Sequence, residues 1–348
     1  MSLPSRASFR DIPLYSATRG PKCGVDLSDN TNLFGMPPAA ERVLREATSS
    51  ALASRYPVGY APDLREAVAT YTGFKPSQVT TGGGSDDVID GVLRSFLEPG
   101  EALAFQDPTF VMIPYSSKVN GLKARPVPLK PDFDLDVDGL LATGAKLIYV
   151  CTPNNPTGTA LSRAALERLV DNAPGIVLVD EAYAEFTSES FLDLARTRPN
   201  VLVTRTLSKA FGLAGMRVGY AVGSEALVGE VEKARGPYKV NGLGERMAAA
   251  ALTEDVAWMK ARAAESLAIR ARLVAELEKL SLRTLPSEGN FVMVPLPGAP
   301  AVAARMRERD VNVRAFQGLT GIGDALRVGC GPWPLMEAAL GALREALR

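Results

Sequence analysis

Residues 201–220, VLVTRTLSKAFGLAGMRVGY, set a lysine between two apolar runs. Val201-Leu202-Val203 gives way to Thr204, Arg205, Thr206, Ser208 and Lys209. A small-residue loop and Arg217 follow, and the apolar pattern resumes at Val218. That order predicts strand, polar turn, glycine-containing loop, strand. An ammonium held in such a turn, beside a buried strand, is partly desolvated. Desolvation lowers its pKa and prepares a free amine for Schiff-base chemistry. Thr206, Ser208 and Arg217 offer the hydroxyl and guanidinium donors for one phosphate group. Alone, Lys209 reads better as a solvated loop lysine, so the neighbouring elements decide.

Two further apolar runs end in chemistry-bearing groups. Residues 147–150 lead into CTPNNPTG, and residues 176–179 into Asp180-Glu181-Ala182-Tyr183. Ligands of open α/β sheets bind at the carboxyl ends of the strands. Three consecutive strands therefore deliver an amide (Asn155), an acid with a phenol (Asp180, Tyr183) and an amine (Lys209) to one rim. This set meets the needs of pyridoxal phosphate (PLP): a carboxylate for the pyridine nitrogen, neutral donors for the ring oxygen, an amine for the aldehyde. Singly, Asp180 reads as a helix cap and Asn155 as a turn residue; their ordered recurrence favours a site. GGGS at 82–85 adds glycines running into a helix, with Ser85 as N-cap and backbone amides free for a phosphate. It lacks both the P-loop Lys-Ser/Thr and the dinucleotide G-x-G-x-x-G. The Asp86 side chain would repel a phosphate, so the contact falls to the backbone at Gly84 to Asp86 and to Ser85.

Composition narrows the chemistry. The 348 residues contain no histidine, which removes histidine triads, HExxH zinc sites and imidazole proton shuttles. Acid–base work must rest on Lys, Tyr, Cys or carboxylates. Three scattered cysteines suggest a reducing compartment and neither disulfides nor a metal site. Lys+Arg and Asp+Glu balance at 39 each, so no net field favours nucleic acid or an anionic membrane. No apolar run approaches a membrane span, and the N-terminus has no continuous apolar signal region. A cytoplasmic protein is expected.

The positioning elements follow from periodicity. Residues 1–35 read as an extended arm, followed by a helix over 39–53. A second helix starts at Ser85 and stops at Pro99-Gly100. Apolar runs at 102–105, 147–150, 176–179 and 201–203 alternate with helices, one of them at 164–172. Continuous Val, Ile and Leu indicate strands covered on both faces, hence a mostly parallel sheet in an α/β fold. A long helix at about 255–280 precedes a smaller α+β lobe. The expected domains are the arm at 1–35, a large domain at 36–236 and a small one at 237–348.

In this order the chain resembles the fold-type I PLP-dependent aminotransferases, and among them the histidinol-phosphate aminotransferase family. The matching segments are NTNLFG (30–35), RYP (55–57), GGGSDD (82–87), DPTF (107–110) and TPNNPTG (152–158). DEAYAEF (180–186), TLSKAFGLAGMRVGY (206–220), GNF (289–291), VNVR (311–314) and LRVG (326–329) continue it. The resemblance implies a seven-stranded sheet in the large domain and a homodimer with a shared active site. It makes Lys209 the covalent anchor and proton carrier, Asp180 the partner of the pyridine nitrogen, and Asn155 and Tyr183 the partners of the ring oxygen. Phe110 stacks on the ring, where the family usually has Tyr. The helix start at Gly84, Ser85 and Asp86, with Thr206, Ser208 and Arg217, holds the phosphate, and Tyr56 reaches the partner subunit's cofactor. Arg327 clamps a substrate carboxylate, Arg314 meets a substrate phosphate, and Tyr15 and Asn32 border the pocket. The family's Asn-Glu-Asn-Pro-Phe-Gly is Asn30-Thr31-Asn32-Leu33-Phe34-Gly35 here, which bears on specificity.

The implied function is ping-pong transamination, with histidinol phosphate as leading donor and 2-oxoglutarate as acceptor. An aromatic amino acid is the next donor. An amino-acid-phosphate decarboxylase would share the lysine and phosphate features. A non-catalytic PLP-binding protein has no need to keep Lys209, Asp180 and Arg327 together, and a nucleotide-binding Rossmann protein lacks the glycine fingerprint.

Overall fold

A computed structural model describes residues 6–9, 12, 22–48 and 51–348. Its strands are β1 (Val25–Asp26), β2 (Val79–Gly82), β3 (Ala102–Asp107), β4 (Lys123–Pro128), β5 (Leu147–Cys151) and β6 (Ile176–Asp180). They continue with β7 (Val201–Thr206), β8 (Gly219–Gly223), β9 (Phe291–Pro295), β10 (Val311–Asn312), β11 (Arg314–Leu319) and β12 (Gly323–Gly329). The large sheet has seven strands in the order β2-β8-β7-β6-β5-β3-β4. β3 to β7 run parallel, and only β8 opposes its two neighbours.

The apolar runs are continuous because each strand feeds two cores. Ile148, Val150, Val177, Val179, Val201 and Val203 enter the core on one face. Their alternates Leu147, Tyr149, Cys151, Leu178 and Leu202 enter the core on the other. Period-2 alternation still governs the strand, but both sides want apolar groups. The register Cys151↔Asp180↔Thr204 then brings the carboxyl ends of β5, β6 and β7 level.

Two local readings change. The helix Ser85–Phe96 is capped by Gly84, not Ser85, with no side-chain capping bond. Gly84 adopts φ +95°, which favours glycine, and a Cβ on Gly219 would lie 2.3 Å from the Ser85 amide nitrogen. The close approach of these two backbones sets the helix start one residue early. The helix expected over 39–53 is two helices, Pro38–Glu46 and Ala51–Ser54.

In the smaller lobe β11-β12-β9 form an antiparallel sheet, and β1 of the arm pairs in parallel with β10. Leu27 joins that lobe's core. The helix Gly242–Glu254 belongs to the other side: Met247, Ala248, Ala251 and Leu252 pack in the large core. The long helix Val256–Lys279 is shared, giving Met259 and Ala263 to the large core and Leu273 and Leu277 to the small one. We propose that the lobes meet within this helix rather than at 236/237.

Candidate active site

The rim expected from the strand ends is a cavity of about 580 Å³, lined by Asn155, Tyr183, Ser208, Lys209 and Arg217 from the large lobe and Arg314 and Arg327 from the small one. Beneath it a smaller cavity reaches Ser85, Asp86, Phe110, Asp180 and Thr206, sharing Lys209 with the first. Asp180 ends β6 and is 3% exposed. Its Oδ2 accepts a 2.6 Å hydrogen bond from the Tyr149 hydroxyl, and its Oδ1 accepts the Ala182 N–H. Lys209 Nζ donates to the Asp29 carbonyl at 2.7 Å. Asn155 Oδ1 accepts from Arg327 Nη1, which leaves the amide N–H groups to face the cavity. The Tyr183 hydroxyl accepts from Asn30 Nδ2 at 3.1 Å, so its own proton is available to donate.

Burial sets the electrostatics. It pushes Lys209 down to about 8, helped by the Arg327 charge. Burial raises Asp180 to about 6, against the pull of the Tyr149 hydrogen bond. Burial likewise raises Tyr183 to about 12, opposed by Arg327. Asp86 is also raised; its side chain opens to the cavity, but the surrounding protein desolvates it more than Arg217 and Lys209 offset. Four cations, Lys209, Arg217, Arg314 and Arg327, line the larger cavity against one acid, Asp29. Such a cavity favours anionic ligands.

An anion-sized cradle lies at the helix start. Arg217 adopts φ +55°, uncommon for a side chain of its size, and this turns its guanidinium back over Gly84, where a Cβ would stand 2.4 Å from Nη2. Its bonds to Gly83 O, Ala214 O and Asp86 are all long, at 3.4 Å. Thr206, Ser208 and the amides of the helix start converge on the same place. Guanidinium, hydroxyls and a helix N-terminus form a donor set for a phosphate; with the amine, acid, amide and phenol above it, the residues fit PLP.

Three expected residues lie away from this chain's cavity or outside the described residues. Asn32 does not line the cavity: Nδ2 donates to the Ala210 carbonyl and Oδ1 accepts the Phe34 amide, tying the arm to the lysine loop. Its place is taken by Ser28, Asp29 and Thr31, and the chain there passes through a left-handed turn at Asn30, φ +53°. Tyr56 is 83% exposed and stacks on Tyr238, away from this chain's own cavity. Tyr15 lies outside the described residues. The sequence reading missed Tyr149, Asn30, Thr109 and Phe316. A tyrosine in the middle of an aliphatic strand was the available signal for the first.

The fold and rim define a two-lobed α/β enzyme that presents a desolvated lysine to a phosphorylated, aldehyde-bearing cofactor. Residues 22–343 match the family model "Aminotransferase class I and II". A histidinol-phosphate aminotransferase of Roseiflexus castenholzii is 37% identical over 334 residues, covering 92% of this chain and 89% of its own. One from a Thermoanaerobacter species is 35% identical, covering 91% and 92%. The solved structure of Sinorhizobium meliloti histidinol-phosphate aminotransferase with pyridoxal-5'-phosphate superposes with a TM-score of 0.87 at 26% identity, covering 94% of this chain and 92% of that one. The chain belongs to the class I and II aminotransferases, PLP-dependent enzymes of fold type I.

Proposed function

We propose that the protein transfers the amino group of histidinol phosphate to 2-oxoglutarate. The observation that carries this reading is the pairing of Arg314 with Arg327 as direct register partners across β11 and β12, both on the cavity wall. A phosphorylated donor and an acceptor with two carboxylates each present anions to these guanidiniums. The names of the relatives support the same donor.

The site residues take the following roles in this reading. Bound PLP supplies an aldehyde that takes up the donor's nitrogen and a ring that accepts electrons. Asp180 holds a proton at the ring nitrogen. Asn155 and Tyr183 donate to the ring oxygen, with their other polar contacts already met by Arg327 and Asn30. Phe110 covers one ring face. The backbone at Gly84 to Asp86, with Ser85, Thr206, Ser208 and Arg217, holds the phosphate. Lys209, its pKa lowered by burial to about 8, carries the proton between the donor's Cα and the cofactor's C4′. Arg327 orients a carboxylate of the 2-oxoglutarate acceptor and Arg314 the phosphate of the donor, which itself carries no carboxylate.

The active unit is proposed to be a cytoplasmic homodimer. Support comes from the exposed cluster Tyr56, Val58, Tyr60 and Tyr238, from which Tyr56 would reach the partner's cofactor. Among the described residues no helix is long and apolar enough to cross a membrane.

A donor panel tests the substrate assignment, scored by conversion of the cofactor to its pyridoxamine form. Histidinol phosphate should convert fastest. Arg314→Ala should slow it about tenfold or more, the worth of one charged hydrogen bond, and leave phenylalanine within twofold. Equal losses on both donors would remove the phosphate role, and a faster wild-type reaction with phenylalanine would replace the donor.

A further inference from the structure

Tyr149 occupies the middle of β5, an otherwise aliphatic strand, and is fully buried. A phenol buried in an apolar layer costs free energy unless its hydroxyl is hydrogen-bonded. Its partner is Asp180 Oδ2, at 2.6 Å. The two are diagonal neighbours on adjacent strands: Tyr149 pairs with Leu178, two residues before Asp180. Tyr149 does not line either cavity, whereas Asp180 lines the lower one. The phenol therefore stands behind the carboxylate, on the side away from the ligand.

We propose that Tyr149 is a positioning residue, whose hydroxyl keeps the Asp180 carboxylate ionised and turned toward the ring nitrogen of the bound cofactor. The proposal rests on Asp180 being the ring-nitrogen partner. The cations Lys209 and Arg217 line the same cavity, but their hydrogen bonds go to Asp29 O and to Ala214 O, Gly83 O and Asp86; the remaining groups facing Asp180 work against its charge or give little. Asp86, from the helix Ser85–Phe96, and Glu181, the next residue beyond the strand, both repel it. Cys151 on β5 is a buried thiol that stays protonated. Among the described residues only the Ala182 amide and the Tyr149 hydroxyl are hydrogen-bond donors to it. Burial and the adjacent carboxylate hold Tyr149 far above the ordinary phenol range. Its proton therefore stays in place at every working pH, and in a chain without histidine this donation does not titrate.

Two variants separate hydrogen bonding from packing. Tyr149→Phe keeps the ring and removes the donor; Tyr149→His keeps a donor and alters the ring. The readout is the titration of the Asp180 carboxyl in cofactor-free protein carrying ¹³C-labelled aspartate, assigned with Asp180→Asn. In Tyr149→Phe the midpoint should rise from about 6 by about one to two units, the loss of one hydrogen bond to a charge. In Tyr149→His it should stay at or below the wild-type value. A pure packing role gives the reverse ranking, with Phe unchanged and His displaced, and overturns the proposal. Should Tyr149→Phe not fold, Tyr149→His decides alone: an upward shift overturns the proposal and an unchanged or lowered midpoint supports it. PLP binding, measured separately, should weaken about tenfold in Tyr149→Phe. Wild-type protein that never binds PLP would fault the cofactor assignment of Asp180, whereas wild-type binding with an unmoved Tyr149→Phe midpoint would fault only the role of Tyr149.

Discussion

The two walls of the cavity are built differently. On the large-lobe wall, Asp180, Tyr183, Thr206 and Ser208 are buried and sit at or just past the ends of central parallel strands. Burial is the main cause of the raised pKa values of Asp180 and Tyr183. The opposite wall comes from a three-stranded antiparallel sheet and the arm. There Arg314 is half-buried beside the Phe316 ring, and Arg327 is bonded to groups of other elements, Ser28 O and Asn155. The first wall is rigid and preorganised, as a permanent cofactor requires. The second joins separate elements, as suits a wall that must accept a donor and then a different acceptor. In the function proposed above, chemistry belongs to the sheet and selection to the small lobe and arm.

The strongest test of that division is Lys209→Ala. It should lower turnover by about 10³-fold or more, since a general base and a nucleophile are lost together. Cofactor retained by the phosphate cradle should still be seen by absorbance. A variant that turns over normally would end the assignment of chemistry to this wall.

Arg327→Ala should act on the other wall, lowering kcat/KM about 30- to 100-fold for carboxylate substrates, mostly through KM. The spectrum of the bound cofactor should be unchanged, as read by an absorbance titration. A shifted spectrum would show that the two walls are not separable, through the Arg327–Asn155 bond.

The smallest effect is in pH. Because Lys209 is lowered to about 8, cofactor uptake by the cofactor-free protein should rise through that pH and flatten above it. The linkage has the same sign. Between about 8 and a lysine's ordinary value of 10.5, the unfolded chain binds the proton and the folded one does not. This residue's share of stability therefore increases with pH across that window. Denaturant titrations of wild type and Lys209→Met should diverge there and nowhere else on its account.

Much of the first wall was legible in the sequence. Lys209, Asp180 and Asn155 stand just beyond apolar runs, and a parallel sheet brings such ends together. Tyr149 was not, because a tyrosine inside a strand looks like core until the β5–β6 register puts it diagonal to Asp180. Asn32 was misplaced for a different reason. In 28–32 every residue is polar, and the chain passes through a left-handed turn at Asn30 that periodicity cannot report, so the pattern does not say that Ser28, Asp29 and Thr31 line the cavity. The boundary proposed within the long helix moves the helix Gly242–Glu254 to the large lobe; its small, alanine-rich face does not say in the sequence which core it fills.

Borohydride reduction of the PLP-loaded protein, followed by peptide mass mapping, tests the central claim most directly. The account predicts one modified residue, Lys209, at close to one cofactor per chain. Modification of another lysine, or none in protein that is otherwise folded and loaded, would contradict it.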